Sequence, residues 1–303
     1  MKLISYFGPD GDIRVGVVDG EDVIDVSRRS GGLAQIGHIS PMRALLSLPG
    51  LLADNIGPLD GERTRLASVQ LAPIVPDPPK IIAAPVNYLD HQAEMMEDYH
   101  IDALGIFLKA TSSVIGSGGT VRLPYSDRRF DQEGELAVVI GTSAAHVSVD
   151  DALNYVAGYT MLLDMTMRGG EDRSTRKSFD TFTPVGPYLV TPDEAGSPDS
   201  MRLRTWANDD LRQDADVKDL IWNVPRLIAY ASSVMTLQPG DIITTGTPAG
   251  IGQISGGDRI AVEITNLGRL EVDVSDEGAV ACPTNGAKRG PKPPETITPV
   301  RPR

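Results

Sequence analysis

The chain has 303 residues, 41% hydrophobic and 23% charged, a balance that allows a sizeable core. A formal charge of −13 disfavours a nucleic-acid surface, and the single cysteine, Cys282, excludes an internal disulfide framework and suits a reducing compartment. No apolar run approaches the ~20 residues of a membrane helix, and MKLISYFGPDGDIR lacks a signal-peptide core, so a cytoplasmic protein is expected.

Residues 1–72 read as a small β-rich unit. Strand-like runs at Leu3–Phe7, Arg14–Val18 and Asp22–Val26 are separated by Gly-Pro-Asp-Gly and Asp-Gly turns. A short helix is predicted near Pro41–Leu48, with Ser40 as cap and Pro41 in its first turn. Four prolines in the nine residues 71–79 force extended backbone and mark a boundary. The larger part, 80–282, is dominated by short strands, with no regular strand–helix alternation.

Within that part, Leu136–Ile140 is an apolar run of strand length, consistent with a strand covered on both faces. A capping box at Ser148-Val-Asp-Asp predicts a helix carrying Leu153 and Val156. A second helix is predicted from about Pro225 to Val234, with Leu227, Ile228 and Ala231 on one face. Arg259–Ile264 and Arg269–Val274 alternate cleanly and form a hairpin. The tail 283–303 is proline-rich, with five basic residues against one glutamate, and reads as loosely draped or as a subunit contact.

Chemistry concentrates at the mouth of the apolar strand. Glu133 and Glu135, two residues apart, point to one face of it. Like charges against a core are costly unless a cation or a shared proton offsets their repulsion; a solvated strand end is the alternative. Asp164 closes another apolar run, which favours ligation or a salt bridge to Arg168. His91 and Glu94 share a face if their segment is helical, and such a pair can activate a water. The glycines of 246–252 do not read as a dinucleotide loop, because neither a helix nor an acidic residue at the required interval follows.

Taken together, NYLDHQAE (87–94), FLKATSSV (107–114), FDQEGELAVVIG (130–141), GYTMLLDMTMR (158–168), RKSFDTFTPVGPYLV (176–190), NDDLRQ (208–213) and LQPGDIITTGTPAGIG (237–252) resemble the fumarylacetoacetate hydrolase family over roughly 80–275. The resemblance implies an α+β, mostly β fold: a mixed β-sandwich or β-roll catalytic domain at 80–282 with a small β-rich N-terminal domain at 1–72. It implies that Glu133, Glu135 and Asp164 hold one Mg²⁺ or Mn²⁺ ion, for which hard oxygen ligands are suited. It implies that His91 and Glu94 are a water-activating pair on a lid, that Lys177 stabilises charge on the substrate, and that Gln213, Thr247 and Lys109 lie at the substrate cleft. Arg168 is expected to fix Asp164. A homodimer is implied as well. One departure is Pro85-Val86-Asn87, where relatives often carry glycine at the first of these positions; glycine there permits a positive φ that proline cannot adopt.

The expected activity is hydrolysis of a C–C bond in acylpyruvates or related β-diketo acids. Decarboxylation of an oxaloacetate-type β-keto acid, or isomerisation of a hydroxyheptadienedioate-type dienoate, is the alternative on the same site. A non-catalytic small-molecule-binding protein is disfavoured by the intact carboxylates and dyad.

Overall fold

The computed structural model describes residues 1–30, 32–48, 59–286 and 293–300. Its organising element is the strand Gly134–Ile140, every residue of which is buried. It pairs antiparallel with Val156–Leu163 on one side and with Ile242–Thr244 on the other. Leu136, Val138 and Ile140 pack with Met161 and Leu163 against Leu203, Val262 and Leu270 of a second sheet. Ala137 and Val139 turn the other way, with Leu162, onto Leu3, Val15, Met42 and Ile74. Both faces are therefore covered, and this accounts for a continuous apolar run where a half-solvated strand would alternate.

Among the described residues, the largest sheet runs from Arg63–Arg65 through the N-terminal strands Asp22–Asp25, Ile13–Asp19 and Lys2–Phe7. It continues through Thr183–Val190, Val156–Leu163, Gly134–Ile140, Ile242–Thr244 and Ile81–Ala83 to Phe107–Lys109. The N-terminal strands thus join the larger part through Lys2 opposite Val190 and Leu3 opposite Leu189. A second sheet orders Asp210–Asp216, Arg202–Ala207, Arg259–Ile264, Gly268–Ser275 and Thr120–Arg122. The predicted hairpin forms there, with Ile260, Val262, Ile264, Leu270, Val272 and Val274 all buried. The proline segment after residue 71 is extended and packed: Ile74 and Val75 are fully buried, and Ser5 Oγ donates to the Ile74 carbonyl.

Helices are few and short. Ser40 caps Pro41–Leu46, as its sequence position predicts. Asn223 caps Val224–Val234, which buries Leu227, Ile228 and Ala231. The helix expected from Ser148 does not form. Ser148 Oγ bonds Asp151 as a cap would, but only a 3-10 turn, Ala152–Tyr155, follows, and Val156 opens the next strand. A single turn yields too little to propagate, and the β-ladder to Gly134–Ile140 claims the residues after it.

Candidate active site

The carboxylate trio is a product of strand register. Asp164 N donates to the Glu133 carbonyl at 2.8 Å, one step beyond the pair Gly134–Leu163, so Asp164 stands opposite Glu133 on the neighbouring strand. Glu135, two residues on, shares the face. One oxygen from each of Glu133, Glu135 and Asp164 lies within 4.8 Å of the others, and all three residues are buried. Gly134 between the glutamates is required by close packing: a Cβ there would lie 2.2 Å from Thr205 Oγ1 and 3.2 Å from Gln213 Oε1.

Cations and backbone donors hold the ring. Lys177 Nζ donates to Glu133 (2.8 Å), Asp164 (2.5 Å) and Thr166 Oγ1 (2.7 Å). Lys109 Nζ donates to Asp164 at 2.5 Å and to the Phe182 carbonyl at 3.0 Å. Arg168 does not fix Asp164, as the sequence suggested; its Nη2 bonds Glu133 at 2.6 Å and its Nε bonds Asp131 at 2.7 Å. Asp164 faces the two lysines instead, while Arg168 follows the short strand Thr166–Met167, with its backbone N–H on the Arg129 carbonyl and its side chain on Asp131 and Glu133. Glu135 has different partners: its Oε2 accepts from the Thr244 hydroxyl and from Gly246 N at 2.8 Å. Gly246 adopts φ +90°, and a Cβ there would press on Asn87 at 2.8 Å, so glycine brings its N–H to the carboxylate.

These surroundings separate the two glutamates. Burial acts to raise the Glu133 pKa, but the Lys177 and Arg168 charges outweigh it and hold the group well below the usual carboxylate range. Burial and the nearby Asp164 charge push Glu135 up to about 8, against the pull of Lys177. Burial also holds Lys109 below its ordinary value, against Asp164.

His91 lies on the short helix Leu89–Met95, with its Nδ1 3.0 Å from Glu94 Oε2. The other Glu94 oxygen accepts from Gly250 N at 2.9 Å and from Thr298 Oγ1 in the tail at 2.6 Å. An imidazole that donates from Nδ1 to this Glu94 oxygen has Nε2 free to accept a proton. Asn87 anchors the segment: its amide donates to the Trp222 and Thr245 carbonyls and accepts from Trp222 N. The left-handed residue beside it is Val86, at φ 44°. A β-branched side chain in that region is strained. The positive φ therefore falls one residue after Pro85.

One cleft gathers His91, Glu133, Glu135, Lys177 and Thr247, together with Arg168 and Arg176. Three of the other sequence candidates stand behind its wall. Glu94 supports His91, and Lys109 supports Asp164. Gln213 is wholly buried, accepting from Gly134 N at 2.9 Å and donating to Thr247 Oγ1 at 2.6 Å and the Pro248 carbonyl at 2.8 Å. Thr247 Oγ1 in turn donates to the Gly134 carbonyl. Sequence reading missed Asp131, Thr244, Gly246, Arg176 and Thr298. Asp131 alone carried a signal, the alternation Asp131, Glu133, Glu135; the others acquire partners or surroundings only through chain reversal.

Residues 80–275 match the family model described as fumarylacetoacetate (FAA) hydrolase, C-terminal. The chain is 43% identical over 289 residues to a maleylpyruvate hydrolase of Aquipseudomonas alcaligenes, covering 90% of this chain and 99% of that one. It superposes with TM-score 0.76 on the maleylpyruvate hydrolase of Sphingobium sp. SYK-6 in complex with manganese(II) and pyruvate, at 39% identity, covering 91% of this chain and 99% of that chain. A 4-hydroxyphenylacetate degradation bifunctional isomerase/decarboxylase of Salmonella dublin is 39% identical over 195 residues, 63% of this chain and 45% of that one. A mostly β fold enclosing a buried carboxylate trio and a His–Glu pair defines a metal-dependent enzyme of carbon–carbon bond chemistry. The chain belongs to the fumarylacetoacetate hydrolase family.

The residues present fit a hard divalent ion. Three converging carboxylates offer oxygen donors without thiolate or histidine, the set that Mg²⁺ and Mn²⁺ accept. Glu135 has no cation within ion-pair distance among the described residues, and its raised pKa marks a place where added positive charge is stabilising.

Proposed function

We propose that this protein hydrolyses the C–C bond of acylpyruvates or related β-diketo acids. The observation that carries the reading is that His91, supported by Glu94, opens on the same cleft as Glu133 and Glu135. Nε2 of His91 takes a proton from a water that attacks the distal carbonyl, and Glu94 holds the imidazolium that forms. The bond between the acyl carbon and the pyruvyl methylene then breaks, releasing a carboxylic acid and pyruvate as its enolate. A divalent cation bound by Glu133, Glu135 and Asp164 supplies Lewis-acid stabilisation of the developing negative charge. All three donors of Lys177 are engaged, so it reaches substrate only by exchanging Glu133, Asp164 or Thr166. Thr247, held by Gln213, lines the same cleft.

The test is a turnover screen of an acylpyruvate chain-length series with Mg²⁺ or Mn²⁺; absence of hydrolysis across the series rejects the reading. The isomerase/decarboxylase relative motivates the second reading, an oxaloacetate-type decarboxylase or a dienoate isomerase, which needs the same carboxylates without the attacking water. His91→Ala separates them, since hydrolysis collapses while decarboxylation persists with Lys177 intact. A place in aromatic-compound breakdown, a cytoplasmic location and a homodimer complete the proposal. They are supported by the family resemblance, and for the location by the absence of a described helix long and apolar enough to cross a membrane. Sedimentation analysis tests the dimer.

A further inference from the structure

Glu94 has no lysine or arginine partner among the described residues, although its side chain is only 1% exposed. A buried carboxylate so placed depends on hydrogen-bond donors. His91 faces one of its oxygens, and Gly250 N and the Thr298 hydroxyl donate to the other. Thr298 makes the shortest of these contacts, 2.6 Å against 2.9 Å and 3.0 Å, and it lies beyond the residues 80–275 that match the family. The helix Leu89–Met95, which carries the pair, is anchored before and after rather than along its length. Asn87 is fixed on one side, and on the other Asp102 accepts from Trp222 Nε1 and Arg226. Between these anchors the other polar contacts to the rest of the described molecule are long: Ala249 N to Asp90 at 3.4 Å and Arg173 to Glu97 at 4.0 Å. The tail is itself held in place. Its Pro294 carbonyl accepts from Arg129, whose guanidinium also grips Asp131, and Ile297 lies so near Gly252 that a Cβ there would stand 3.4 Å from its Cγ1.

We propose that the tail segment 293–298 is a strap across the helix that carries the base, and that Thr298 is a positioning residue for the His91–Glu94 pair. With Oε1 held by Thr298 and Gly250, Glu94 presents Oε2 to His91 Nδ1. An imidazole donating there keeps Nε2 free for the proton of the attacking water. Thr298 acts through Glu94 rather than on substrate. This rests on the hydrolase reading above, in which His91 is the general base.

Two readouts test the assignment, one of them independent of turnover. Thr298→Val keeps the shape of the side chain and removes the donor. It is expected to lower kcat by about threefold to tenfold on an acylpyruvate that the wild type hydrolyses, with KM and the unfolding midpoint unchanged. Amide hydrogen exchange in residues 89–95 of the Mn²⁺-loaded protein, followed by mass spectrometry, is expected to quicken by a similar factor. Thr298→Ser keeps the hydroxyl and retains both wild-type values, as does Thr296→Val, the same change at an exposed tail position. Thr298→Ala, which also removes the donor, takes the place of Thr298→Val if that variant does not fold. A wild-type kcat without the donor, a Thr298→Ser variant as slow as Thr298→Val, an equal loss in Thr296→Val, or a loss confined to KM or to the unfolding midpoint overturns the assignment. Absence of acylpyruvate turnover in the wild type rejects the hydrolase reading instead. Exchange then decides the strap, which stands if Thr298→Val alone quickens it and falls if it does not.

Discussion

At the residue scale, Glu133 and Glu135 divide the work of a like-charged pair. Glu133 is held ionised by Arg168 and Lys177; Glu135 meets only neutral donors, Thr244 and Gly246, and is pushed up to about 8. A cation must displace that proton, so Mn²⁺ affinity is expected to fall by up to about tenfold per pH unit below pH ~8. Calorimetric titration across this range checks it, and a flat profile sinks the assignment. For the metal-free protein the sign is fixed by the folded value lying above the ordinary 4.5. The Glu135 contribution to stability is full below about 4.5 and is lost as pH rises through about 8. Glu135→Gln is expected to abolish stoichiometric metal in the purified protein, as measured by elemental analysis. His91→Ala should lower acylpyruvate hydrolysis by about 10²–10⁴-fold, the usual worth of a general base.

At the element scale, the site depends on two close approaches that no local pattern reveals. Gly134→Ala forces a Cβ into Thr205 Oγ1 at 2.2 Å. Overpacking of this kind costs about 1–3 kcal/mol, and the shift is transmitted to both glutamates. A lower unfolding midpoint together with weaker Mn²⁺ binding is expected; unchanged binding would show that the strand relaxes without moving them. The second approach is the tail. Its Thr298 hydroxyl reaches Glu94, and its Pro294 carbonyl accepts from Arg129. Thr298→Val removes one donor to Glu94 while Gly250 N remains. A drop in kcat of about threefold to tenfold is expected from losing one such bond. Steady-state kinetics beside thermal unfolding check it: a lower kcat with KM and the unfolding midpoint unchanged is expected, an outcome that a purely packing role for Thr298 does not produce.

At the scale of the whole molecule, the N-terminal strands extend the central sheet and Leu3, Val15 and Met42 cover the back of Gly134–Ile140. Metal binding is therefore coupled to the stability of a strand buried on both faces. Mn²⁺ at about 100 times its Kd should add about 2.7 kcal/mol, seen as a rise of several degrees in the unfolding midpoint that Glu135→Gln abolishes. The sequence by itself determined the features that follow from local periodicity and from order along the chain. These are the two-sided strand at Leu136–Ile140, the shared face of Glu133 and Glu135, the hairpin of 259–274, the helix after Asn223, and the motif order that marks the family. Its local signals misled where long-range pairing competed, as at Ser148, whose cap leads into a strand. Only the tertiary structure decided that Arg168 serves Glu133 rather than Asp164, that Lys109 and Gln213 stand behind the wall, and that Thr298 meets Glu94. The physical reason is that a side chain's charge and donors are written at one position. Whether they are satisfied depends on groups brought close by folding, for Glu94 and Thr298 from 204 residues apart.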